Sequence, residues 1–173
     1  MKKENNMQEK VLCDAGKLFA KNGFAGASMS MIAEAVGIKK SSLYYFFKNK
    51  EAIYLELLEE ILDEVIEVIK DKQEKLPDKL LRMFKISAKN GPLLFSVQKL
   101  SSCSFKSISK RLHKVDALLL EYLSLQKLRV PAPLAMRLIL DTTQMYARCV
   151  SEKTHSLTPK EYSTLLTTLL EKA

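Results

Sequence analysis

Five glycines and five prolines are the only backbone breakers in 173 residues. A sandwich or barrel needs a turn about every 8–12 residues, so an all-β fold has too few turn-forming sites here. The apolar residues instead recur with a helical period along almost the whole chain. Met7, Val11, Leu12, Ala15, Leu18 and Phe19 share one face of a helix over about Asn6–Asn22. Asn22-Gly23 ends it, because glycine accepts the left-handed conformation that follows a helix, and Phe24 can fold back on Phe19. Short helices follow over about Met29–Val36, capped by Ser28 and ended by Gly37, and about Lys40–Phe46. Asn49 caps a long fourth helix running to about Asp71, with Glu51 well placed in its first turn.

A fifth helix begins at Pro77 or Asp78 and is expected to break at Asn90-Gly91-Pro92. A short apolar stretch and the serine-rich SSCSFKS come next. An amphipathic helix is expected over about Ser107–Arg129, then a connection through Val130-Pro131-Ala132-Pro133 and a helix over about Leu134–Glu152. Thr158-Pro159-Lys160-Glu161 opens the last helix as a capping box with proline at its first position. The expected fold is all-α, long enough to bury a core without disulfide or metal staples.

Charge narrows the partner. Residues 1–50 hold nine lysines against four acidic residues, so +5 of the chain's net +8 lies in less than a third of its length. A basic domain of this kind suits a polyanion. No stretch approaches the roughly 18 uncharged apolar residues of a membrane span, and MKKENNMQEK has no apolar leader core. Cys13, Cys103 and Cys149 are odd in number and widely spaced, as expected of free thiols in a reducing cytoplasm. They share no metal-ligand spacing with His113 or His155. The sequence carries no phosphate loop, nucleophile elbow or paired-carboxylate motif, so neither an enzyme nor a cofactor is expected.

Residues 29–47, MSMIAEAVGIKKSSLYYFF, have the build of a helix-turn-helix. Ala33 is small enough for two backbones to cross, and Gly37 can take the positive φ of the turn. Ile32, Val36, Ile38, Leu43, Phe46 and Phe47 plug the angle between the helices. Lys39, Lys40, Ser41, Ser42, Tyr44 and Tyr45 are left to point outward. Lys39 and Lys50 stand at helix starts, where a cation opposes the dipole. Both positions become favourable if phosphates lie against those helix ends.

From Val11 to about Leu58 the sequence resembles the N-terminal domain of the TetR family of bacterial transcriptional regulators. The resemblance rests on Ala15, Leu18, Phe19, Gly23 and Phe24, on Ile32, Ala33 and Gly37, and on Leu43, Tyr44, Phe47, Lys50 and Glu51. It implies a helix-turn-helix domain over 1–50 and a helical effector-binding and dimerisation domain over 51–173. It implies phosphate contacts from Ser28, Tyr44 and Lys50, and recognition-helix contacts from Lys40, Ser41, Ser42 and Tyr45. It implies a homodimeric, ligand-responsive repressor of a palindromic operator in double-stranded DNA. It also implies that a ligand moves the fourth helix. The sequence departs from the family pattern at Lys39, where a small cap is usual, at Ser41, where Gly or Ala is common, and at Phe46, where His or Tyr is more usual.

The rest of the chain supplies further expectations. Tyr162, Leu165, Leu166, Leu169 and Leu170 form a stripe that, with Met145 on the preceding helix, is expected to pair two subunits. Phe84, Phe95, Phe105, Met145 and Tyr146 are candidates to line a pocket for a small, unidentified effector. Lys106, Lys110, Arg111 and Lys114 repeat with helical spacing, as a solvated face or one near the DNA backbone. Cys103 offers an alternative, redox form of control. A helical small-molecule sensor or an interaction adaptor of the same fold would lack the outward set Lys40, Tyr44, Tyr45 and Lys50, which is intact.

Overall fold

The computed structural model describes residues 2–95, 102–154 and 157–172, with side chains at 6–91, 93–94, 106, 108–154 and 157–172. These residues form eight helices: α1 (Lys2–Gly26), α2 (Met29–Val36), α3 (Lys40–Phe46), α4 (Lys50–Lys70), α5 (Leu76–Phe95), α6 (Ser102–Ser124), α7 (Ala132–Glu152) and α8 (Pro159–Leu170). The four starts expected at Met29, Lys40, after Asn49 and after Thr158 are all present. Each depends on residues within one turn. Ser28 accepts from the Met31 amide, Asn49 from Ala52 and Thr158 from Glu161. The Glu161 carboxylate in turn accepts from the Thr158 amide (2.6 Å), which holds its pKa below the ordinary glutamate range.

α5 is the centre of the C-terminal half. It packs along α7 and α8 and also meets α1 and α4, while α4 lies along α6. The expected break at Asn90-Gly91-Pro92 does not occur, and α5 continues to Phe95. Proline here removes one helical hydrogen bond, and tertiary packing outweighs that loss. Asn90 is buried and donates to the Ile86 carbonyl. Gly91 meets the backbone of Ala147 on α7 so closely that a β-carbon would overlap the Ala147 carbonyl oxygen. Gly91→Ala should therefore push the two helices apart and cost about 1–3 kcal/mol. A denaturant midpoint lowered at unchanged slope would show this; a variant as stable as the wild type would disprove the backbone contact.

Three other helices have boundaries that differ from expectation. Gly23 takes a φ of 70°, but the chain turns there and closes a further helical turn to Gly26. α6 starts at Ser102 and ends at Ser124 rather than Arg129. Its last expected residues are drawn off to cover the end of α8: the Arg129 amide donates to the Leu170 carbonyl (2.8 Å) and its guanidinium to that of Glu171 (2.6 Å). α7 begins at Ala132 because Pro133 fits its first turn.

Several helix ends also receive a cation from a distant part of the chain. The last carbonyls of a helix have no partner within it, and they carry the negative end of its dipole. Lys10 donates to the Val36 carbonyl at the end of α2 (2.8 Å). Buried Lys79 donates to Val68 (2.7 Å) and Ile69 (3.0 Å) at the end of α4. Arg111 ties α6 to α4 through Glu59 (3.1 Å) and Asp63, so this member of the basic run is engaged inside the fold.

Candidate nucleic-acid interface

α2 and α3 meet around a small core. Ile32, Ala33, Val36, Leu43 and Phe47 are buried, and Phe46 is half-buried. Gly37 adopts φ 78°, and its amide donates to Ala33 (3.0 Å) and Glu34 (3.1 Å). That conformation suits glycine, because a β-carbon would be strained there. Val11, Ala15 and Phe19 of α1 belong to the same buried cluster. α3 is thus fixed from behind by Leu43 and Phe47.

Its front is open. Lys39, Lys40, Ser41, Ser42, Tyr44 and Tyr45 are all exposed, Tyr45 to 75%. Tyr45 stands edge-on to Phe46 with ring centroids 5.2 Å apart, which restrains its direction. Lys39 leaves the start of α3 without a side-chain cap, because an ammonium only donates and cannot accept from the helix amides. No acidic residue occurs between Glu34 and Glu51. The face therefore offers cations, hydroxyls and two aromatic rings, which suit phosphates and base edges. Ser28 is also exposed, although its Oγ accepts from Met31 (3.2 Å).

Lys50 corrects the sequence expectation. Its Nζ is not turned outward to a phosphate but donates to the carbonyls of Phe24 and Ala27, each at 2.8 Å. It also lies 4.6 Å from the centre of the Phe24 ring. The signal for this was present in Phe24, but partners 23 and 26 residues away cannot be paired by spacing.

The α8 stripe divides in two. Leu166 (5% exposed) and Leu170 point into the chain's own core, and Tyr162 stacks on Phe84 with centroids 5.3 Å apart. These three are therefore withdrawn from the expected subunit interface. The reason is α5, which covers that side of α8 and receives a hydrogen bond from Ser163 at the Pro77 carbonyl (2.8 Å). Leu165 and Leu169 face outward, as do Leu134, Leu138 and Met145 on α7.

Of the expected pocket residues, the three with described side chains, Phe84, Met145 and Tyr146, do not line a common space. Phe84 and Tyr146 are buried against each other (5.5 Å, edge to face), and Tyr146 also meets Tyr162 (4.8 Å). Burial, reinforced by the Tyr162 hydroxyl, raises the Tyr146 pKa. Met145 is on the opposite, exposed face of α7. The side chains of Phe95, Cys103 and Phe105 lie outside those described, as does His155. Among the described residues no group of three or more His, Cys, Asp or Glu side chains is placed to hold a metal, and no helix is long and apolar enough to cross a membrane.

Residues 12–57 match the family described as bacterial regulatory proteins, tetR family. The biofilm operon icaADBC HTH-type negative transcriptional regulator IcaR of Staphylococcus epidermidis is 36% identical over 63 residues, 36% of this chain and 34% of its own length. The chain thus aligns with only about a third of that relative. Across nearly the whole chain, the fold resembles the ketosteroid transcriptional regulator KstR2 of Mycobacterium tuberculosis (TM-score 0.73, 23% identity, 96% of this chain and 95% of that one). It also resembles AibR, solved with isovaleryl coenzyme A and operator DNA (TM-score 0.72, 19% identity, 94% and 97%). At these identities the structural likenesses speak for the fold alone.

Proposed function

We propose that the chain is a TetR-family regulator, as the match of residues 12–57 to the bacterial regulatory proteins of that family supports, and that it is a ligand-responsive repressor binding a palindromic operator as a homodimer. The observation that carries this reading is the acid-free, outward face of α3 and its cap Lys39, with six exposed polar or aromatic residues backed by the buried Leu43 and Phe47. In this reading residues 1–50 bind DNA, and 51–173 pair the subunits and take the effector. Two α3 helices set about one turn of DNA apart enter successive major grooves. Leu165 and Leu169 of α8 with Leu134, Leu138 and Met145 of α7 supply the apolar face for a second copy. The matched relative IcaR is a negative regulator by name, which supports repression. AibR was captured with an acyl coenzyme A and operator DNA, which supports a small apolar or amphipathic effector among α4 to α7. Such an effector acts only through different affinities for the DNA-competent and DNA-incompetent states.

Selection of fragments from the source genome by the purified chain tests the reading. Enrichment of a palindromic sequence is expected, and uniform recovery of all fragments would overturn it. The selected fragment then separates roles on the surface. Lys39→Ala should weaken selected and random DNA alike and lower the log–log salt slope by about one for each phosphate no longer neutralised. Tyr45→Ala should cost about 1–3 kcal/mol per base pair it reads on the selected fragment, and much less on random DNA. A salt titration of both variants on both DNAs checks this. If Tyr45→Ala left the ratio of the two affinities unchanged, Tyr45 would have no part in base recognition.

A further inference from the structure

Lys50 and Tyr54 lie one turn apart on α4, so their side chains share a face. That face reaches two helix ends belonging to different halves of the molecule. Lys50 occupies the end of α1 through the carbonyls of Phe24 and Ala27. Ala27 directly precedes Ser28, the cap of α2, so Lys50 holds the joint from which the helix-turn-helix departs. Tyr54 is fully buried, and its hydroxyl donates to the Leu93 carbonyl in the last turn of α5. A carbonyl there has no amide within its own helix to accept from. The Tyr54 ring also meets Phe24 (4.9 Å) and Phe19 (5.2 Å), and Phe24 carries the Lys50 ammonium on its face.

We propose that Lys50 and Tyr54 are positioning residues that together set the angle between the helix-turn-helix and α5, governing DNA affinity through geometry without touching DNA. The contacts are continuous: Leu93 carbonyl, Tyr54, the Phe24 ring, Lys50, the Ala27 carbonyl, α2. The links are a hydrogen bond at each end, a tilted aromatic pair between Tyr54 and Phe24, and the Lys50 cation over the Phe24 ring. Two of the three ammonium N–H bonds of Lys50 are committed, one to the Phe24 carbonyl in the last turn of α1 and one to the Ala27 carbonyl just beyond it. The proposal rests on the DNA-binding reading for its affinity readout, and on none of it for its exchange readout.

The experiment uses the full chain and two near-isosteric variants, Tyr54→Phe and Lys50→Met. In the DNA-free protein, amide hydrogen exchange over residues 27–47 should rise about tenfold in each variant, with α8 unchanged. Affinity for the genomic fragment selected by the wild type should fall about five- to twentyfold in each, at an unaltered salt slope, because every phosphate keeps its cation. The double variant should lose less than the product of the single losses, because both act through one joint. Lys50→Arg, which keeps the cation and its donors, should recover most of the affinity and of the exchange protection. A salt slope lowered by about one per subunit in Lys50→Met, with exchange unchanged, would make Lys50 a phosphate contact and overturn the proposal. Exchange unchanged in both variants would overturn it equally. If the wild type selects no fragment, the DNA-binding reading fails while the exchange data still decide whether the joint exists.

Discussion

Leu165→Lys combined with Leu169→Lys should convert the proposed dimer into a folded monomer, whereas Leu166→Lys should unfold the chain. The three leucines share one short helix, yet they differ in what covers them. Leu165 and Leu169 are 51% and 57% exposed, and Leu166 is 5% exposed. Burying a leucine side chain contributes about 1.5–3 kcal/mol. Leu165 and Leu169 are each already about half covered in the monomer, so the four leucines of two subunits would contribute roughly 3–6 kcal/mol of association free energy. Lysine at either outward position can carry its ammonium into solvent in the monomer, so the fold should persist. Lysine at 166 would place an unpaired charge among core residues, at a cost above the about 2–5 kcal/mol typical of Leu→Ala in a core. Sedimentation and circular dichroism on the two variants distinguish the outcomes. A double variant that still sediments as the wild-type dimer would place the subunit contact elsewhere, and a folded Leu166→Lys protein would contradict the inward orientation of α8. Operator affinity should fall at least about a hundredfold in the monomer, since one half-site then binds without the other.

Lys79→Met should destabilise the chain by about 3–5 kcal/mol although methionine is apolar and nearly the same length. Lys79 is 2% exposed, and its Nζ donates to Val68, Ile69 and Asp71 carbonyls beyond which α4 stops. Three acceptors call for all three N–H bonds of an ammonium. Its charge also lies 4.9 Å from the centre of the Tyr122 ring on α6. Burial pulls the Lys79 pKa below the ordinary lysine range, against the opposing pull of Asp71 and Glu74. Hydrogen bonds to a charged donor contribute about 1.5–3 kcal/mol each, and the desolvation of the ammonium offsets part of that sum. The net loss should lower the melting temperature by roughly 10 °C for a chain of this size. Equilibrium denaturation checks it. A loss below about 1 kcal/mol would mean that those carbonyls find other partners when the cation is gone.

How much of this molecule its sequence determines follows from how far apart the deciding residues lie. α2, the Gly37 turn, α3, the Asn49 cap and the Thr158 capping box are each settled by residues within a turn of one another, and each stands where the sequence places it. The outward set of α3 is legible for the same reason: the plugs Leu43 and Phe47 lie within the short helix and its cap, and whatever they do not use faces solvent. Distant partners decide the rest. α5 runs through Gly91-Pro92 because Ala147, 56 residues away, packs against Gly91. α6 ends early because Arg129 is drawn to the end of α8. Leu166 and Leu165 are neighbours of equal hydrophobicity, and only the presence of α5 on one side makes one core and the other surface. Phe84 and Tyr146 read equally as pocket or packing until Tyr162 is brought against both. Lys50 reads as a phosphate ligand until the end of α1 is folded beneath it. Periodicity and capping are local energies and survive in one dimension, whereas which face is covered and which carbonyl meets which cation exist only once the helices are packed.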